Sequence, residues 1–185
     1  MPSPIAHSAT GIALAQLFPE RAPSSRWRRL VRLASLLVLA NVADLDFIFQ
    51  LVFDRRIHHT FSHSIVFTLT IAGLVGLIFA VLGRDGSRAF LLTAVLYGSH
   101  VLLDMLGGGP GVQLLWPFSA AYVIAPIQIF PPVHYSRGVL DASHLTFIAF
   151  ESVYSALLLI VFRSPLFQQA KPNPAAQHGG PPKSA

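Results

Sequence analysis

The chain has no cysteine and very little charge. Without cysteine there is no disulfide framework, no thiolate zinc site and no cysteine nucleophile, so any metal must rest on imidazole and carboxylate. Charged residues make up 11% of the 185 positions, where a soluble domain carries roughly 25%. A surface that poor in charge does not face water. Apolar residues reach 53%, with 14 phenylalanines and 13 glycines, and glycine is commoner in membrane helices than in soluble ones. The N-terminus also lacks a basic stretch ahead of an apolar run, so no cleaved signal peptide is expected. The net charge of +5 invites a nucleic-acid reading. Most Lys and Arg, however, sit in short clusters between apolar runs, as topology signals do, and no nucleic-acid partner is expected.

The length suits one domain. Five segments could cross or enter a bilayer: Pro4 to Phe18, Leu30 to Phe53, Ile65 to Leu82, Ala89 to Leu106 and Leu145 to Phe162. The first is short of the ~20 residues a span needs, and the third carries no charge at all. A long loop, Gly107 to Ser143, separates the last two, and the tail from Lys171 is rich in proline and glycine. The expected fold is therefore all-α: a polytopic membrane helix bundle of about five hydrophobic helices with a long irregular outer loop. Residues 1–168 form its embedded domain and 169–185 a disordered tail. If all five segments span, ten basic residues, among them Arg26, Arg28, Arg29, Arg32, Arg84 and Arg88, fall on one side and Arg55, Arg56 and Arg137 on the other. The positive-inside rule makes the first side cytoplasmic.

On that topology the titratable residues converge. His7, Asp44, Asp46, His58, His59, His63, His100, Asp104, His134 and His144 all come to the non-cytoplasmic face, although Lys and Arg alone set the orientation. Ionisable residues inside a membrane are costly and by default mark function. Imidazole with carboxylate suits zinc, manganese or iron. His100 and Asp104 are spaced i, i+4, within reach of one ion from one helical face, and His59 and His63 share that spacing. Asp44 and Asp46 would point to different sides of a continuous helix, so one could ligate while the other orients a histidine. Simpler readings exist for single residues: a histidine as an interfacial anchor, Asp54 with Arg55 and Arg56 as a solvated loop, Glu151 as the partner of a polar neighbour. They do not account for the whole convergence.

The stretches HSATG at 7–11, ADLDF at 43–47, HHTFSHS at 58–64, SHVLLD at 99–104 and GVQLLWPFS at 111–119 resemble the membrane-bound, metal-dependent hydrolases called YdjM-like. The resemblance covers about residues 5 to 120. That family is in turn distantly similar to the zinc-dependent phospholipases C and single-strand nucleases. The resemblance implies metal-site roles for His7, Asp44, Asp46, His58, His63, His100 and Asp104, and a divalent cofactor, zinc being the ion to expect. Ala43 stands where the family usually has proline, and His59-Thr60 where Arg-Gly is common. His144 and Glu151 are seven apart, unlike the H-x-x-x-E of the phospholipases.

The implied chemistry is metal-assisted hydrolysis, with Asp44 or Asp46 taking a proton from water and Arg137 clamping a phosphate. The expected partners are the lipid bilayer and a lipid or phosphoester substrate at the membrane face, and the expected location is the inner (plasma) membrane. The rival class is a metal-ion or proton-coupled transporter. It would spread its titratable residues through the bilayer depth and break a helix near the midplane. A non-catalytic interaction protein is the third reading.

Overall fold

A computed structural model describes residues 2–19, 25–53, 58–131 and 142–164, and among them all regular elements are helices. Helix α1 (Pro4–Leu14) starts on Ser3, whose side chain accepts from the Ile5 N–H, with proline in the first turn. Its end runs into a 3-10 turn, Ala15–Leu17. The carbonyls there are met by cations, as helix C-termini favour. Arg32 Nη2 donates to Ala15 O and Phe18 O at 3.3 and 2.6 Å, and Arg88 donates to Pro19 O.

Helix α2 (Arg26–Asn41) is capped by Ser25, and α3 (Asp46–Phe53) follows after a 3-10 turn, Val42–Leu45. The expected single segment from Leu30 to Phe53 is thus broken at its two aspartates. Asn41, the last residue of α2, bonds back to Leu37 O at 2.8 Å and across to Ser8 Oγ at 3.0 Å. Beyond it the chain tightens, and both carboxylates face histidines rather than opposite sides of one helix. Helix α4 (Ile65–Val81) is capped by Ser64, α5 (Gly86–Met105) by Asp85, and α6 (Ala142–Arg163) closes the described chain.

Helix α5 is the axis of the bundle. It packs along α4 and against α2 and α1, while α6 lies on α1. Small residues set the close approaches, as membrane helices favour. A Cβ on Gly86 would come within 2.6 Å of Gly76 O, and one on Gly11 within 2.8 Å of the Ala40 Cβ.

The distribution of polarity is the reverse of a water-soluble fold. Buried positions include His7, Asp46, His63, His100, Asp104 and Glu151, while Leu74, Leu77, Val81, Leu145, Val153 and Ile160 are exposed. Apolar faces this extensive mark a non-aqueous environment. Two helices are long and apolar enough to cross a membrane, Gly86–Met105 and Ser143–Arg163. Helix α4 is apolar but has 17 residues, about 26 Å at 1.5 Å per residue. Helix α1 is 11 residues long, and α2 opens with Arg26, Arg28, Arg29 and Arg32. Among the described residues, two full-length apolar helices therefore stand where about five spans were expected.

Glu151 has a defined role. Buried completely, its carboxylate accepts from both the Ser3 backbone N–H and the Ser3 hydroxyl, so α6 holds the N-terminus of α1. The described part of the outer loop, 107–131, is folded rather than loose. Val112 and Val123 exchange backbone bonds of 3.1 and 2.8 Å, and Gly108 N donates to Phe130 O at 3.1 Å.

Candidate metal centre

Four separate stretches deliver the site. Helix α1 brings His7, the turn between α2 and α3 brings Asp44 and Asp46, the Phe61–His63 turn and the residues before it bring His58, His59 and His63, and the last turns of α5 bring His100 and Asp104. The i, i+4 spacing works as the sequence suggests, with His100 Nε2 3.2 Å from Asp104 Oδ2. His63 Nε2 reaches the same oxygen at 3.2 Å. Asp44 Oδ1 lies 3.2 Å from His100 Nε2 and 3.6 Å from His63 Nε2. His7 stacks on His100 with centroids 3.8 Å apart, its Nε2 3.6 Å from Asp104 Oδ1.

Each of four imidazoles has its Nδ1 engaged by an acceptor or hydroxyl. His100 Nδ1 faces Ala40 O at 2.7 Å, His59 Nδ1 faces Gly111 O at 2.9 Å, and His58 Nδ1 faces Asp46 Oδ1 at 2.7 Å. His63 Nδ1 lies 2.9 Å from Ser62 Oγ and 3.3 Å from Asp46 Oδ2. A carbonyl or carboxylate accepts, so Nδ1 carries a proton and Nε2 is the atom left for a metal ion or a second proton. This is the arrangement by which outer-shell partners orient metal-binding histidines. The two nearest Nε2 atoms, of His63 and His100, face each other at 3.3 Å, and two lone pairs at that distance need a cation or a proton between them.

The two aspartates have different surroundings. Asp44 turns to the Nε2 atoms of His63 and His100. Asp46 holds the Nδ1 side of His58 and His63, receives the Ser62 hydroxyl, and accepts the His59 backbone N–H at 3.2 Å. The geometry makes Asp44 a candidate ligand and Asp46 the group that orients the others.

The donor set fits a divalent ion by a second criterion. Both oxygens of Asp104, both ring nitrogens of His7 and Nε2 of His59 are buried with no hydrogen-bond partner, and leaving such atoms unpaired is costly. A cation held by Asp104 or by His59 Nε2 would remove that cost for those atoms. Two groups of side chains bring their ligand atoms close enough for one ion: Asp44, His58, His59 and His63, and Asp44, His63, His100 and Asp104; His7 belongs to neither. Charge points the same way. Burial holds His59 down to about 4, so it is neutral at pH 7 and offers a lone pair. Burial opposes protonation of His63 too, yet the carboxylates of Asp104, Asp44 and Asp46 raise its pKa well above the ordinary value. Three carboxylates thus draw positive charge to one spot, as a metal ion would supply it.

Of the seven residues expected at a metal site, Asp44, His58, His63, His100 and Asp104 fall in the two ligand groups, while His7 stacks on His100 and Asp46 stands on the Nδ1 side of His58 and His63. His59, kept open as a ligand because Arg-Gly is common at 59–60 in the family, is buried and is held by three bonds, the third from Gln113 N to its carbonyl at 3.0 Å. Its backbone is left-handed, with φ at 68°, a conformation that costs on the order of 1–3 kcal/mol for a non-glycine residue. Ser62 and Tyr97 were overlooked; the Tyr97 hydroxyl donates to Ser62 O at 2.8 Å and fixes the turn that carries His63. His144, in the first turn of α6, belongs to neither ligand group. Arg137 and His134 lie outside the described residues. Only Asp44 and His58 keep appreciable side-chain exposure, 26% and 15%, so the centre opens past these two.

Comparison with known proteins agrees with the motif reading. The chain is 34% identical over 125 residues to the inner membrane protein YbcI of Escherichia coli (strain K12), an alignment covering 61% of this chain and 70% of that protein. No solved structure matches it significantly. The family described as YdjM inner membrane protein matches residues 1–170. With this match spanning nearly the whole chain, and with a His/Asp group able to hold a metal ion in a helical fold bearing membrane-length helices, the chain belongs to the YdjM inner membrane protein family.

Proposed function

We propose that the protein is a multi-pass, metal-dependent hydrolase of the inner membrane that cleaves a phosphoester at the membrane face. The observation that carries this reading is the set of imidazoles whose Nδ1 atoms are tied down, with Nε2 lone pairs left beside the carboxylates of Asp44 and Asp104. His63, His100, Asp44 and Asp104 would hold a divalent ion, with zinc first among the candidates, and His58, His59 and His7 complete the surroundings. An ion held there would supply Lewis acidity toward an ester or phosphoryl oxygen and lower the pKa of nearby water. The protein's own residues do the rest. Asp46 and Ala40 O fix the imidazole tautomers, Asp44 at the mouth, ligating through one carboxylate oxygen, would take a proton from incoming water with the other, and Arg137 would clamp the phosphate.

The expected end of the embedded domain at 168 and the tail 169–185 lie outside the described residues. The centre faces the non-cytoplasmic side, since Arg32 and Arg88 lie at the opposite end of the bundle, with Arg88 and His100 about 18 Å apart along α5 at 1.5 Å per residue. Gathering of the titratable residues at one end supports hydrolysis over transport, which needs a path through the bilayer depth. The test is elemental analysis of detergent-purified protein together with a phosphoester screen on wild type, Asp44→Asn and Asp46→Asn. Full activity in both variants, or no bound metal in the wild type, refutes the mechanism. Because the chain has no cysteine, single cysteines at Arg56, Gln113 and the exposed Ser87 read topology cleanly. The first two should label from outside and the third should not.

A further inference from the structure

Between Met105 and Tyr135 the chain contains no Asp, Glu, Lys or Arg. A water-exposed connection of that length should carry several, at the roughly 25% usual in soluble domains. Its described part instead exposes Trp116, Phe118, Tyr122, Ile124, Ile127 and Ile129, with Phe118 at 87% and Ile127 at 71%.

These side chains are held outward by a pinned backbone. Ala125 N donates to Met105 O at 3.0 Å, Ile129 N to Leu106 O at 2.8 Å, and Leu114 O accepts from Ile65 N at 3.0 Å. The segment is thereby fastened to the last turn of α5 and the first of α4. At Gly111 (φ 84°) a Cβ would come within 2.5 Å of Val123 O, so the two arms touch backbone to backbone. Pairing its polar groups internally is what a segment in lipid must do, and exposed Trp and Tyr are the residues that settle at the headgroup level.

The segment borders the mouth of the metal centre, because Gly111 O and Gln113 N both bond His59. On the other flank, α3 exposes Phe47, Ile48, Phe49 and Val52. Phe47 meets the ring of His58 edge-on at 5.7 Å. Asp44 and His58, the two groups that reach the surface, therefore emerge beside an apolar helix and an uncharged collar, the collar being bonded to the ends of α4 and α5.

We infer that residues 107–131 and α3 form a collar seated in the lipid interface, so that the metal centre opens sideways into the bilayer and not into water. The occupant of this surface is the glycerol and upper acyl region of membrane phospholipid. Resting on the hydrolase reading, one consequence is that the phosphoester reaching Asp44 is carried on a lipid headgroup.

Fluorescence quenching tests the seating directly, since Trp27 and Trp116 are the only tryptophans. The full chain with Trp27→Phe, in phosphatidylglycerol/phosphatidylcholine nanodiscs, reports on Trp116. A second protein, with Trp27→Phe, Trp116→Phe and Phe47→Trp, reports on the mouth. Lipids brominated high on the acyl chain should quench both strongly, and aqueous iodide should quench neither. Iodide quenching of Trp116 without bromolipid quenching overturns the collar. Bromolipid quenching at Trp116 but iodide quenching at position 47 overturns the sideways opening. Native elution of both variants, with bound metal equal to wild type, guards against misfolding. The readout needs no turnover, so its failure is separate from failure of the hydrolase reading.

Discussion

At the turn end of the α4–α5 pair, Gly76 and Gly86 let the two backbones touch, and a single added methyl at Gly86 would meet Gly76 O at 2.6 Å and Ala80 Cβ at 2.9 Å. At the opposite end the same two helices are joined through His63, His100 and Asp104, with nitrogen and oxygen atoms 3.2 to 3.3 Å apart. The first end is held by shape. In lipid no hydrophobic force presses helices together, so close packing of small residues supplies the contact. The second end is held by charge, and it carries atoms that lack partners of their own. Substitutions should therefore cost stability at one end and metal at the other, and variants at the two ends should separate those quantities.

The largest effect is expected at the charged end. His100→Ala or Asp104→Ala should abolish stoichiometric metal binding, measured by elemental analysis, while folded protein is still recovered by size exclusion. Retention of wild-type metal in both would break the contrast. Next comes Gly86→Val at the shape end. Overpacking of a tight contact costs typically about 1–3 kcal/mol, and more where backbone must move. A marked loss of thermal stability with metal content per folded molecule unchanged is the expected result.

A smaller effect is expected from Asp46→Asn, because Asp46 orients His58 and His63 and leaves direct contact to Asp44. Losing an outer-shell partner typically weakens metal affinity about 10–100-fold, and competition with a chelator would measure it. Loss as complete as in His100→Ala would make Asp46 a ligand instead. The smallest is Asp85→Ala, which removes the cap accepting from Arg88 N at 2.9 Å. A lost N-cap costs typically ~1 kcal/mol, seen as a lower melting temperature with metal and any turnover intact.

The charged end was legible in the sequence because its residues betray themselves by cost. Histidines and aspartates in a chain so poor in charge have few reasons to be there, and the i, i+4 pair His100/Asp104 needs only an ordinary helix to align. The break at Val42–Leu45 was not legible. Apolar residues run through it from Leu30 to Phe53, and neither Gly nor Pro interrupts the run. What ends α2 there is tertiary: Asn41 reaches Ser8 on α1, and the two carboxylates are drawn to histidines that come from distant parts of the chain. The role of His59 stayed open for a related reason, since its left-handed backbone and its bond to Gly111 depend on a loop 52 residues away in sequence.

Composition and periodicity by themselves determined an apolar helical chain, its lack of any thiol chemistry, and the residue types on which a metal would have to rest. Those follow from local properties: transfer energy, helical spacing and the ligand preferences of imidazole and carboxylate. Only the tertiary structure decided which carboxylate faces the centre and which stands behind it. Asp44 and Asp46 are the same residue type two positions apart, and nothing local distinguishes them. Their difference arises because the 3-10 turn rotates one toward the Nε2 atoms of His63 and His100, and leaves the other against the Nδ1 atoms of His58 and His63.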